Sequence, residues 1–181
     1  IPFAKYVDPY QNGAHVVFPK TRSYSNDALD PKVKHYSRLN FVLAQLEVAD
    51  VDTNAHPVLL DQRGNISENV GGNFFIVTDG VIRTPTNHSI LQGITRRTVF
   101  ELARRLDIPV QQEDLQPYDA YTADECFLAT TSYCILPVGM IDRRQIGKEA
   151  PGPVTNQLLA AWSELVGLDV VDQAIRQSGQ S

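Results

Sequence analysis

Residues 74–78 read Phe-Phe-Ile-Val-Thr, Asp79-Gly80 follow, and residues 81–84 read Val-Ile-Arg-Thr. This run constrains the fold more than any other stretch. Two apolar, β-branched segments joined by Asp-Gly predict a two-residue hairpin, because Asp and Gly tolerate the positive φ of a type I′ turn. Upstream, Glu68-Asn69-Val70-Gly71-Gly72-Asn73 carries a single carboxylate and two adjacent glycines into the first strand. Paired glycines let a backbone approach a ligand or another segment closely. A glycine loop with a solvated acid fits the same residues, so this stretch alone leaves both readings open.

The remaining elements follow from periodicity and punctuation. Residues 1–13 read as irregular, and 15–18 (His-Val-Val-Phe) as a strand stopped by Pro19. A loop over 23–31 leads past Lys32, Lys34 and His35 into a helix. Leu39, Val42, Leu43 and Leu46 give that helix a stripe predicted to face the core. A strand at 58–60 and a turn at 61–65 hand over to the acid and its glycines. Val99, Leu102, Ala103 and Leu106 predict the buried face of a second helix, with Arg104 and Arg105 outside. A short helical piece near 118–123, a strand at 125–129, its continuation at 134–138 and a hairpin around Asp142-Arg143 come next. Pro153 suits the first turn of a last helix bearing Leu158, Trp162 and Leu165, and 173–181 reads as a polar, frayed tail. Several strands precede the second helix, which predicts an α+β fold rather than βαβ alternation.

Composition narrows the function. The chain has 181 residues and a net charge of −5, with acids and bases interspersed, so it carries no nucleic-acid footprint. No apolar run reaches membrane-spanning length and no signal peptide opens the chain, which predicts a cytoplasmic protein without a membrane partner. Cys126 and Cys134 read as free thiols, and the four histidines lack metal-ligand spacing, so no metal is expected. Ile1-Pro2-Phe3 lacks an initiator Met, which suggests a chain end made by processing or design.

Four features carry chemistry: Lys34 near a helix start, Glu68 in its glycine loop, and two hydroxyl corners. Gly93-Ile94-Thr95 opens the second helix, where unpaired N–H groups and the dipole attract anions, although Thr95 also fits a plain N-cap. Thr130-Thr131-Ser132 lies between two apolar strands, where hydroxyls need partners, from a turn or from a second anion. Pyridoxal 5′-phosphate would use all four features: an aldehyde for a lysine, a ring nitrogen for an acid, and a phosphate for a helix start.

Lys34 with Leu39-Asn40 and Glu47, then LLDQRGNISENVGGNFF, ILQGITRR, DECFLATTSYCILPV and GPVT, appear in that order. Together they resemble the class IV, or fold type IV, pyridoxal-phosphate aminotransferases from about Asp30 to Val166. That group includes branched-chain and D-amino-acid aminotransferases, (R)-selective amine transaminases and aminodeoxychorismate lyases. The resemblance implies the large pseudo-barrel domain of that fold, with the small N-terminal domain absent. It divides the chain into an interdomain segment and first strand (1–29), a cofactor domain (30–172) and a tail (173–181). Lys34 matches the lysine that holds the cofactor covalently. Glu68 matches the acid on the pyridine nitrogen, with Asn73 ending that motif. Gly93, Ile94 and Thr95 match the phosphate cup, and Thr130 and Thr131 match the later phosphate corner.

Ser132 and Tyr133 fall where the family offers N–H groups to a substrate carboxylate. Arg38 departs from the branched-chain pattern, which has a tyrosine facing the ring oxygen. A donor to that oxygen and an exposed helical arginine fit Arg38 equally. Arg22 reads as a surface arginine or a carboxylate contact. The implied reaction moves an amino group from an amino acid or primary amine to a 2-oxo acid, in a homodimer. Lyase chemistry and a non-catalytic scaffold stay open as alternatives.

Overall fold

Strand β4 (Gly72–Thr78) is bonded to three neighbours in the computed structural model, which describes residues 3–179. Its partners are β3 (Ile66–Asn69), β5 (Val81–Pro85) and β7 (Glu125–Thr130), all antiparallel. From β7 the sheet continues through β8 (Cys134–Ile141), β1 (Ala14–Val17) and β2 (His56–Leu60), then returns to β3. Six strands thereby close a barrel, while β5 and β6 (Val110–Glu113) extend beyond β4 and β9 (Arg144–Gln145) folds back on β8. Closure removes the unpaired edges that an open sheet would leave. This is the expected α+β pseudo-barrel.

The hairpin forms as predicted. Asp79 has φ 51° and Gly80 φ 75°, and Thr78 pairs with Val81 across the turn. Phe74, Phe75 and Ile76 are fully buried because β4 is covered on both faces, and the Phe75 and Phe127 rings stack 4.8 Å apart. Helices α3 (Ile94–Arg105) and α5 (Pro153–Val166) pack on β7, α5 also packs on β8, and the short helical piece expected near 118–123 is α4 (Pro117–Tyr121). Glu68, read above as part of a loop, lies on β3 with Asn73 as its partner on β4.

Several expectations fail for identifiable reasons. Residues within the irregular 1–13 stretch form a 3-10 turn (Phe3–Tyr6) and helix α1 (Val7–Asn12), with Tyr6, Val7 and Tyr10 buried; Ile1 and Pro2 lie outside the described residues. Pro9 is tolerated because it falls in the first turn, where its missing N–H would be unpaired anyway. The stripe on α2 (Leu39–Ala49) faces the wrong way. Leu39, Val42, Leu43 and Leu46 are exposed, and Phe41, Ala44 and Val48 are buried, with α2 packed on β2. Both sets have helical spacing in a helix that is mostly apolar, so periodicity could not choose between them. Leu165, expected on the buried face of α5, is exposed, and Leu159 takes a core position instead. Residues 173–178, expected as frayed tail, continue α6 (Val170–Ser178), whose Ala174 is buried and which packs on the 3-10 turn and α1. Residues 180–181 lie outside the described residues.

Candidate active site

A cavity of about 320 Å³ opens where four segments meet: the loop over 31–38, the β3–β4 turn, the start of α3 and the β7–β8 turn. Lys34, Arg38, Glu68 and Asn73 line it, as do Gly93, Ile94 and Thr95 from the α3 start and Thr130 and Thr131 from the β7–β8 turn. Residues far apart in the chain reach one space because β3, β4 and β7 are neighbours in the barrel. Lys34 sits in the loop ahead of α2, exposed on the cavity side.

Glu68 is the half-buried acid of the site, open toward the cavity. Its Oε2 accepts the Leu91 N–H at 2.9 Å. Burial pushes its carboxyl up to about 7, against the smaller opposing pulls of that N–H and of Arg38. A carboxylate so desolvated favours a partner that brings a positive N–H. Opposite Glu68 in the strand register, Asn73 donates from Nδ2 to the Leu91 carbonyl at 2.9 Å. Leu91 then leads directly to the start of α3. Gly93 leaves room for that amide, since a Cβ on it would stand 2.5 Å from Asn73 Oδ1 and the Asn73 side chain would have to shift.

Gly93, rather than Thr95, is the N-cap of α3, and it contributes no side-chain cap. The first N–H to bond back along the helix is that of Arg97, to the Gly93 carbonyl at 3.1 Å. First-turn N–H groups ahead of it have no intrahelical acceptor and suit an oxyanion, with the buried Thr95 beside them. Thr131 faces the cavity from the other corner, and the Thr130 hydroxyl donates to the Gly71 carbonyl. Gly72 serves the barrel rather than a ligand, because its Cβ would lie 2.5 Å from the Ala129 carbonyl on β7. Gly71 has open space around its Cα.

Arg38 caps the start of α2, lays its guanidinium 4.2 Å over the Phe41 ring and donates to the Val70 carbonyl. It is held across the cavity wall, not extended into solvent. Ser132, Tyr133 and Arg22 are not among the cavity-lining residues. The Tyr133 ring turns inward against Tyr6, and its carbonyl accepts the Tyr10 hydroxyl at 2.7 Å. Arg22 is exposed, with its backbone bridged to Leu60. Among the cavity residues that the sequence reading does not name as site residues are Ser23, His35 and Asn40. Only Asn40 left a signal, as an amide inside the apolar run Leu-Asn-Phe-Val-Leu.

The amino-transferase class IV family profile matches residues 2–141. The chain belongs to that family. The Thermobaculum terrenum branched-chain amino acid aminotransferase in PLP form is similar at a TM-score of 0.82 and 29% identity, over 96% of this chain and 56% of that one. The Escherichia coli branched-chain amino acid aminotransferase structure gives 0.81 at 29% identity, over 96% and 54%. A Pseudomonas aeruginosa branched-chain-amino-acid aminotransferase is 34% identical over 152 residues, covering 84% of this chain and 46% of that protein. This class IV chain thus spans about half the length of the curated relatives it matches. Among its described residues, no helix is long and apolar enough to cross a membrane.

Proposed function

We propose that this class IV chain holds pyridoxal 5′-phosphate and moves an amino group between an amino acid or primary amine and a 2-oxo acid. The observation that carries the reading is one cavity holding Lys34, the desolvated Glu68 and the unpaired start of α3. The donor set fits the group. Lys34 offers an amine for an aldehyde, Glu68 a desolvated carboxyl for a ring N–H, and α3 with Thr95 and Thr131 the donors for a phosphate. When bound, the cofactor supplies an aldehyde that condenses with amines and a protonated ring that withdraws electrons from the substrate carbon.

The chain's own residues do the rest. With the cofactor bound, the Lys34 amine would take the proton from the substrate Cα as base and deliver it as acid to the cofactor carbon that carried the aldehyde. Glu68 holds the proton on the ring nitrogen. Fixed by Val70 and Phe41, Arg38 directs positive charge toward the ring's phenolic oxygen. Ser132 and Tyr133, which follow Thr131 just outside the cavity lining, would meet the substrate carboxylate through their backbone N–H groups only if that turn forms part of the substrate's path.

Self-association belongs to the same reading. Leu39, Val42, Leu43 and Leu46 expose an apolar stripe on α2. The helix's one charged residue, Glu47, turns its carboxylate to the N–H groups of Lys20 and Thr21. A stripe with no charge of either sign presents no repulsion to a second copy of itself, and it starts beside the Lys34 loop. Free Cys126 and Cys134 suit a reducing compartment such as the cytoplasm.

Amino transfer to a 2-oxo acid, followed with and without added cofactor, tests the proposal. Activity that depends on the cofactor and is lost in Lys34→Ala is expected. Unchanged transfer in Lys34→Ala refutes the assignment.

A further inference from the structure

Buried polar atoms almost always find a hydrogen bond, because leaving one unpaired forfeits its hydration without return. Among the described residues, most of the exceptions line the Lys34 cavity. Ser23 Oγ, His35 Nδ1, and both Nδ2 and Oδ1 of Asn40 are enclosed and make no hydrogen bond with the protein.

Asn40 is the sharpest of these. It follows Leu39 in the first turn of α2 and is 7% exposed. Its side chain does not cap the helix, since Arg38 is the N-cap and α2 has no side-chain capping bond. The other buried positions of α2 are apolar, namely Phe41, Ala44 and Val48. An aliphatic residue would serve packing better at this point, so the fold gains nothing from an amide here. Ser23 is held in place through its backbone, with its N–H bonded to the Leu60 carbonyl and its own carbonyl accepting from Gln62 Nε2. His35 adjoins Lys34 and sets its ring 5.9 Å from that of Tyr24. Asn40 and Ser23 offer neutral donors and acceptors in a cavity lined also by Lys34, Arg38 and Glu68.

We infer that Asn40 is a binding residue for the cofactor's ring, its carboxamide Nδ2 donating to the ring's phenolic oxygen alongside Arg38, with Ser23 lining the same cavity. The inference rests on the proposed cofactor reading and adds a contact made by the ring rather than by the phosphate. It carries a distinctive signature. Removing the amide weakens ring binding and leaves the cofactor-free chain as stable as before, or more so, because an unpaired buried group is lost.

The test titrates wild type, Asn40→Ala and Ser23→Ala with pyridoxal 5′-phosphate, with pyridoxal and with inorganic phosphate, and melts each chain without ligand. For Asn40→Ala, at least tenfold weaker binding of both pyridoxal compounds is expected, with phosphate binding and melting temperature not reduced. Ser23→Ala is expected to shift in the same direction by a smaller factor. Unchanged pyridoxal affinity in both variants overturns the inference. So does a lower melting temperature with unchanged affinity, which is the mark of a structural amide. Failure of the wild-type chain to bind pyridoxal 5′-phosphate overturns the cofactor reading itself, and this contact with it.

Discussion

Glu68 and Asn73 face each other across the β3–β4 register and hold the two polar backbone groups of Leu91 between them. The acid accepts its N–H and the amide donates to its carbonyl. This clamp ties the segment entering α3 to the barrel, so the acid and the anion site are positioned by one device. Gly93 completes it by leaving room for Asn73.

Gly93→Ala places a methyl group against the Asn73 amide and displaces the start of α3. Cofactor affinity is expected to fall at least tenfold, roughly the 1.4 kcal/mol that such a ratio represents, while the barrel still folds. Titration of cofactor absorbance alongside far-ultraviolet dichroism checks this. Wild-type affinity would show that no such clamp operates.

The raised Glu68 carboxyl makes the cofactor-free chain sensitive to pH. Its folded value, about 7, lies above the ordinary value of 4.5, so the folded chain binds more protons than the unfolded one between them. Stability from this group is complete below about 4.5 and is lost as pH rises toward 7. The difference is on the order of 3 kcal/mol. Denaturant unfolding at several pH values should show wild type losing stability relative to Glu68→Gln across that window. A constant difference between the two contradicts it.

Glu125 joins two elements that are distant in sequence. Its carboxylate accepts the N–H groups of Val154 and Thr155 at 2.8 Å and the Thr155 hydroxyl at 2.7 Å, capping α5 from β7. Glu125→Ala leaves those buried donors unpaired and is expected to cost about 3 kcal/mol, given roughly 1–3 kcal/mol for each unsatisfied group. Equilibrium unfolding measures it, and a loss below about 1 kcal/mol would mean water replaces the carboxylate.

Legibility of the chain varied with how many physical signals coincided. Residues 74–84 were readable because burial on both faces of β4 gives an unbroken apolar run and Asp79-Gly80 suits the observed turn. Lys34, Glu68, Thr95 and Thr131 stood out as polar residues in ordered family motifs. The orientation of α2 was not readable, since Phe41, Ala44 and Val48 compete with Leu39, Val42, Leu43 and Leu46 for one helical period. Asn40 shows in the sequence only as an amide in an apolar run, and Ser23 not at all, because the lack of a partner is visible only once the surroundings are known.

The same α2 stripe yields a test of self-association. Leu43→Glu with Leu46→Glu puts charge on the exposed face without touching the buried one. Sedimentation velocity is expected to show a dimer in the wild type and a folded monomer in the double variant. A wild-type monomer, or a variant that stays dimeric, removes α2 as the interface.

Lys34 as the residue that holds the cofactor is tested most directly by incubation with pyridoxal 5′-phosphate, borohydride reduction, proteolysis and mass spectrometry. One stable phosphopyridoxyl adduct is expected, on Lys34, and inorganic phosphate should diminish it by competing for the start of α3. An adduct fixed at another lysine, or none in a folded chain saturated with cofactor, would contradict that role.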